Sequence, residues 1–185
     1  MKRSDFLRKG LGVLGIAALA PYAFEINQAA AQSIVTKKSN PMNATKTAKE
    51  LLLGYLENIN DPDKAIELFA DDATIELPYL ASLGLPWQWQ GKEIIRKFLA
   101  NLPKTFPGFG FSNIRIHIDT PDQAFGEYDA HCKVASTNRA YNQTYMGRLV
   151  AKNGKIKLLR EALDMAQVAK SMFPNGVADL QEKKD

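Results

Sequence analysis

The chain has 185 residues, with 24 Lys and Arg against 20 Asp and Glu, a formal charge of +4, two histidines and one cysteine. That length suits one domain around one core, the lone Cys132 excludes an internal disulfide, and without a Cys/His cluster at ligand spacing no structural metal site is expected. The basic residues form no stripe, since Lys152, Lys155 and Lys157 flank a tight turn, so no nucleic-acid partner is expected either.

Residues 1–31 read as a bacterial export signal: Lys2, Arg3, Arg8 and Lys9 precede an apolar run at 11–20, and Ala29-Ala30-Ala31 stand before Gln32. The run is too short to span a bilayer. The segment 2–8 resembles a twin-arginine signal in which Ser4 sits where the second arginine is expected, so both export routes stay open. Cleavage after Ala31 removes four basic and two acidic residues, lowers the charge to +2, and leaves a periplasmic or secreted protein with no stable membrane span. Residues 32–42, with Lys37-Lys38-Ser39-Asn40-Pro41, read as a flexible tether.

From 43 onward Ala44, Ala48, Leu51, Leu52, Tyr55, Leu56 and Ile59 recur at steps of three and four, which predicts a helix. Asp61 and Pro62 then supply an N-cap and a first helical residue for a short second helix. Residues 73–79 read as a strand, and 80–90 as an apolar loop carrying Trp87 and Trp89. A third helix over 92–102 buries Ile94, Ile95, Phe98, Leu99 and Leu102, with Pro103 as its stop. Three strands follow over 109–118, 124–135 and 141–152, the first with an Ile114-Ile116-Ile118 stripe that leaves His117 exposed. Asn153-Gly154 marks a two-residue hairpin into a last strand over 155–164. A closing helix over 165–173 ends the domain, assigned 43–174, before a tail at 175–185. Helices first and consecutive strands after them give an α+β class.

Phe69-Ala70-Asp71-Asp72-Ala73-Thr74-Ile75-Glu76-Leu77-Pro78 resembles the helix-to-strand junction of the ketosteroid isomerase branch of the nuclear transport factor 2-like superfamily. The resemblance covers about 44–173 and implies a cone-shaped fold, a curved antiparallel sheet closed by N-terminal helices around a pocket. Ketosteroid isomerase works with a tyrosine on the first helix, an aspartate base before the proline and a protonated aspartate on a late strand. The corresponding positions here are Tyr55, Leu77 and Met146. A hydrocarbon cannot carry a proton, so steroid isomerisation by that aspartate route is not expected. Ala124-Phe125-Gly126-Glu127-Tyr128-Asp129 and the run 154–164, with Arg160-Glu161 after Gly154-Lys155-Ile156, resemble the SnoaL-like branch, in particular the phenazine-biosynthesis A/B proteins. That resemblance implies an acid/base role for Glu161, while the histidine partner of those proteins has no matching position.

Strand geometry puts Leu159, Glu161 and Leu163 on one face, where a half-desolvated carboxyl has a raised pKa. For 124–135 two arguments conflict. Alternation alone buries Gly126, Tyr128, Ala130, Cys132 and Val134, whereas a gap-free register with ketosteroid isomerase turns Glu127, Asp129 and His131 to the cavity. The register reading is taken forward: Glu161, His131, Asp129 and Tyr55 as the catalytic group, with Leu77, Trp87, Trp89, Met146, Arg148 and Leu163 as substrate contacts. The implied protein is a homodimer that binds a small hydrophobic or aromatic molecule and works as a cofactor-free isomerase, cyclase or dehydratase. The alternative is a non-catalytic binding or assembly module.

Overall fold

The computed structural model describes residues 45–180. The export signal at 1–31, the tether at 32–42, the expected first residues of the opening helix and the end of the tail at 181–185 lie outside the described residues.

Helix α1 (Ala48–Glu57) begins where Thr47 caps it. The Thr47 hydroxyl accepts from the Glu50 N–H at 3.3 Å and the Glu50 carboxylate accepts from the Thr47 N–H at 2.8 Å, so two end-of-helix amides are satisfied reciprocally. This local chemistry, rather than the apolar spacing, sets the start. Its stripe of Leu51, Leu52, Tyr55 and Leu56 is buried. Helix α2 (Pro62–Ile66) takes Asp61 as its cap and Pro62 in its first turn, as the sequence requires. Strand β1 (Phe69–Glu76), a 3-10 turn (Pro78–Leu83), strand β2 (Gln88–Gln90) and helix α3 (Lys92–Thr105) follow. Pro103 does not stop α3: in the last turn it forfeits one bond, and the Phe106 N–H still reaches the Leu102 carbonyl.

Strands β3 (Phe111–Asp119), β4 (Gln123–Lys133), β5 (Ala140–Lys152) and β6 (Lys155–Ala162) then run antiparallel in succession, before α4 (Met165–Met172) and a second 3-10 turn (Gly176–Leu180). The six strands form one curved sheet, not closed into a barrel, in the order β2-β1-β6-β5-β4-β3. Because β1 lies parallel to β6, the sheet is mixed rather than wholly antiparallel. Burial along β5 alternates residue by residue, so one face of the sheet is covered and the other is open. Helix α1 packs across the covered face against β3, β4, β5 and β6, while α3 packs on α2, β1 and β2. The core sits between them, built on Leu51, Leu52, Ile75, Leu99, Leu149 and Leu159, all fully buried.

Two irregularities decide which side chains face inward. The Asn153-Gly154 turn has both φ values positive, 53° and 71°, the geometry of a two-residue hairpin. It pairs Lys152 with Lys155, but the register shifts by one between Val150 and Ala151, so Gly147, not Met146, stands opposite Glu161. A one-residue slip exchanges the two faces of a strand. In β3, where Asn113 has φ 49°, further register shifts break the isoleucine stripe. Ile116 packs on the core, while Ile114 and Ile118 are exposed.

Candidate functional site

Between the covered face of the sheet, α3 and α4 lies a cavity of about 600 Å³, a volume that encloses a drug-sized ligand. Phe106, Phe109 and Phe111 wall one side, and Leu77, Leu80 and Leu85 another. Trp89 and Phe98 stack at 4.1 Å between ring centres and share the lining. Against this apolar surface stand the carboxyl of Glu161 and the rings of Tyr55, Tyr141 and Tyr145.

Glu161 reaches the cavity because β6 emerges from its bulge with Leu159 and Glu161 inward. Glu161 is 4% exposed. Burial pushes its pKa up to about 7, against the opposing effect of a hydrogen bond donated by the Tyr128 hydroxyl. That bond spans two strand spacings. Tyr128 lies on β4 opposite Tyr145, and its hydroxyl occupies the space over Gly147 of β5, where a Cβ would overlap it. Gly147 in turn pairs with Glu161 on β6. The glycine is therefore the gap through which a β4 tyrosine holds a β6 carboxyl. Gly126 serves the neighbouring approach, since a Cβ there would stand 2.8 Å from the Arg115 carbonyl oxygen.

The Tyr141 and Tyr145 hydroxyls hydrogen-bond each other at 2.7 Å. Burial and the nearby Glu161 carboxyl hold the Tyr55 hydroxyl well above its ordinary pKa, so it stays a proton-bearing donor. Tyr55 is set edge-on to Phe69 at 5.9 Å and is 2% exposed. The far end of β6 is fixed by Gln143, whose amide donates to the Asp164 carbonyl at 2.8 Å and accepts from the Asp164 N–H at 2.9 Å. Asp164 then caps α4 through the Ala166 and Gln167 N–H groups. One buried side chain thus ties the end of the carboxyl's strand to the helix that closes the cavity.

Of the residues expected from sequence, the structure brings Glu161, Tyr55, Leu77, Trp89 and Leu163 together around this cavity. The others lie elsewhere. Asp129 and His131 are on the open face of β4, because Gly126, Tyr128 and Ala130 take the buried positions. There Asp129 accepts from Asn113 at 3.0 Å and Thr144 at 2.8 Å, and the His131 ring meets the Asn142 side chain at 3.2 Å. Met146 and Arg148 share that open face by the unbroken alternation of β5. Met146 is exposed, and the Arg148 guanidinium donates to Gln123 at 2.7 and 3.1 Å rather than meeting Glu161. Trp87 is exposed outside the lining and contributes its backbone carbonyl to the Leu77 N–H. The register borrowed from ketosteroid isomerase is thereby overturned, and the plain apolar alternation gives the observed faces. His117, expected on the exposed side, does lie there, 3.3 Å from Glu127.

Tyr128, Tyr141 and Tyr145 were not among the expected site residues. Their signal was present as alternation with Gly126, Gln143 and Gly147, small or polar residues that leave room on the face where large apolar side chains otherwise belong.

A sequence model of the SnoaL-like domain matches residues 55–159. No curated protein matches the chain in sequence. Among solved structures, a proposed isomerase from Bacillus subtilis superposes with a TM-score of 0.60 at 23% identity, covering 69% of this chain and 93% of that one. A phenazine biosynthesis-related protein from Pseudomonas aeruginosa gives 0.58 at 24% identity, with 68% and 84% covered. A proposed polyketide cyclase from Xanthomonas campestris gives 0.55 at 17% identity, with 64% and 90% covered. At these identities the three share the fold with this chain.

Proposed function

Since the chain belongs to the SnoaL-like domain family, we propose that it binds a small hydrophobic or aromatic molecule in the Glu161 cavity and acts on it as a cofactor-independent isomerase, cyclase or dehydratase. The observation that carries this reading is a carboxyl buried in the wall of an apolar cavity, with its pKa pushed up to about 7. A general acid or base works best when its pKa lies near the ambient pH, because both protonation states are then populated. The ionised form takes a proton from carbon beside a ligand carbonyl, and the protonated form returns it at another carbon or at oxygen. The Tyr55 hydroxyl donates to the enolate oxygen that forms meanwhile. Tyr128 holds the carboxyl from behind without entering the cavity.

The isomerase, phenazine-related and cyclase descriptions of the fold relatives support small-molecule carbon chemistry as the class. The same reading makes the protein an exported homodimer. The signal-like pattern of residues 1–31 supports export, and exposed Ile118 and Met146 on the open sheet face support a second copy there. Sedimentation of the wild type and of Met146→Lys tests the latter, with a monomer in both defeating it.

Thermal-shift screening against aromatic and polyketide-like carbonyl compounds tests binding, since a ligand at a hundred times its Kd stabilises by about 2.7 kcal/mol. Compounds that bind are then held in deuterium oxide while NMR follows exchange at the carbon beside the carbonyl. Wild type should catalyse exchange, and Glu161→Gln should bind equally and exchange no faster than buffer. Equal exchange by the variant would remove Glu161 from the mechanism, and the absence of exchange by wild type on every bound compound would leave a binding protein.

A further inference from the structure

The cavity lining holds two charged residues, and they stand apart in kind: Glu161 is on the sheet side and Lys97 is on α3. Helix α3 presents Ile94, Lys97, Phe98, Asn101 and Leu102 to the cavity at helical spacing, so one helix wall carries both apolar contacts and a cation. Lys97 is exposed at the mouth, whereas Glu161 is buried. Among the described residues its ammonium makes no ion pair, although Lys92 and Arg96 on the same helix pair with Glu67 and Asp63 on the side away from the cavity. Asn101 stands one turn on, and its amide reaches only the Thr105 hydroxyl, at 3.3 Å.

This distribution of charge has one chemical reading, which rests on the cavity being the ligand site. We propose that the ligand carries an acidic group, held at the cavity mouth by Lys97, while its apolar or aromatic body extends between Trp89, Phe98 and the phenylalanine wall toward Glu161. An anion carried inward would lose its hydration, find no cation there, and face a carboxyl that is itself ionised half the time near pH 7. At the mouth the same anion keeps water on one side and gains Lys97 on the other. The arrangement therefore fixes polarity as well as affinity: the acidic end stays out, and the carbon chemistry takes place at the inner end.

A matched pair of fluorescent probes tests this, anilinonaphthalene sulfonate and phenylnaphthylamine, which share their rings and differ by the sulfonate. Titrations use the wild type, Lys97→Met and Lys97→Glu, with Leu163→Trp as the variant that fills the cavity. Lys97→Met should weaken the sulfonate about fivefold, as expected for an ion pair open to solvent, and leave the neutral probe unchanged. Lys97→Glu should weaken the sulfonate further, and added salt should erase the difference for the sulfonate alone. If Lys97→Met leaves the sulfonate affinity unchanged, or shifts both probes equally, the acidic-ligand proposal fails while the cavity reading stands, provided Leu163→Trp abolishes binding. If neither probe binds, or Leu163→Trp changes nothing, the cavity reading and this proposal fall together. Lys97 is exposed on the surface of α3, so its replacement leaves folding intact, which circular dichroism verifies.

Discussion

Glu161→Gln should abolish a pH dependence of stability that runs opposite to that of an ordinary salt-bridged carboxylate. In the folded protein the Glu161 pKa is raised from 4.5 to about 7, chiefly by burial. Between those values the folded state holds a proton that the unfolded chain has released. Stability therefore falls as pH rises through this window, because stability increases with pH only where the unfolded state binds more protons. At about 1.4 kcal/mol per pKa unit, the group's contribution is full below pH 4.5 and has cost the protein about 3 kcal/mol by the time the pH passes 7. Urea unfolding of the wild type and Glu161→Gln from pH 4.5 to 8.5 isolates the term as a difference. Carboxylates held low by local bonds, such as Asp61, Asp72 and Asp129, act alike in both proteins and cancel. The wild type should lose about 3 kcal/mol relative to the variant across that range and then run parallel to it. Parallel curves throughout would show a carboxyl in free contact with water, and a wild type that gains stability with pH would show one paired with a cation. Either result would refute the acid/base assignment, which depends on the carboxyl being desolvated.

Tyr128→Phe removes the bond that holds the Glu161 pKa down, so the pH at which deuterium exchange reaches half its maximum should move upward; loss of the buried bond should also cost about 1–3 kcal/mol in unfolding experiments. Gly147→Ala should cost about 1–3 kcal/mol by overpacking, because its Cβ would overlap the Tyr128 hydroxyl. Combining it with Tyr128→Phe should cost less than the sum of the two, since both act on one contact; strict additivity in a double-mutant cycle would show the two sites to be independent. His131→Ala, on the open face, should leave ligand affinity and exchange rate unaltered and stability within about 0.5 kcal/mol, and a large loss of exchange would place that face in the chemistry.

What the sequence disclosed follows from how local each signal is. The Asp61-Pro62 start of α2 and the Asn153-Gly154 hairpin depend on the backbone preferences of one or two residues, and both are present in the fold. The capping box at Thr47 and Glu50 is equally local and marks the start of α1 at Ala48. The strands of the second half were legible by alternation, as was the burial of the even-numbered β4 residues from Ala124 to Ala130. The parallel pairing of β1 with β6 was not, because about 80 residues of chain separate the two strands and no local preference encodes their contact. Nor were the bulges. An extra residue in a strand leaves little compositional mark, yet it reverses the face of every residue beyond it.

The β5–β6 bulge is why the site differs from the one expected. A hairpin paired without slip from Asn153-Gly154 would set Met146 against Glu161 and turn both to one face, with Arg148 next in line to neutralise the carboxyl. Such a pairing would hold Glu161 ionised, with a pKa below the ordinary range and no use as a proton carrier near neutrality. The extra residue is Lys157 of β6, between the Ala151–Ile156 and Val150–Leu158 pairs. It turns Glu161 inward, while Met146 and Arg148 keep the open face by the unbroken alternation of β5, and Gly147 is left opposite the carboxyl. The only hydrogen-bond donor that reaches Glu161 among the described residues is then the neutral hydroxyl of Tyr128, admitted by that glycine. A neutral donor steadies the carboxyl without fixing its charge, so desolvation prevails and the pKa rises to about 7. One inserted residue thus separates the cation from the acid, and the proton exchange proposed for this cavity depends on that separation.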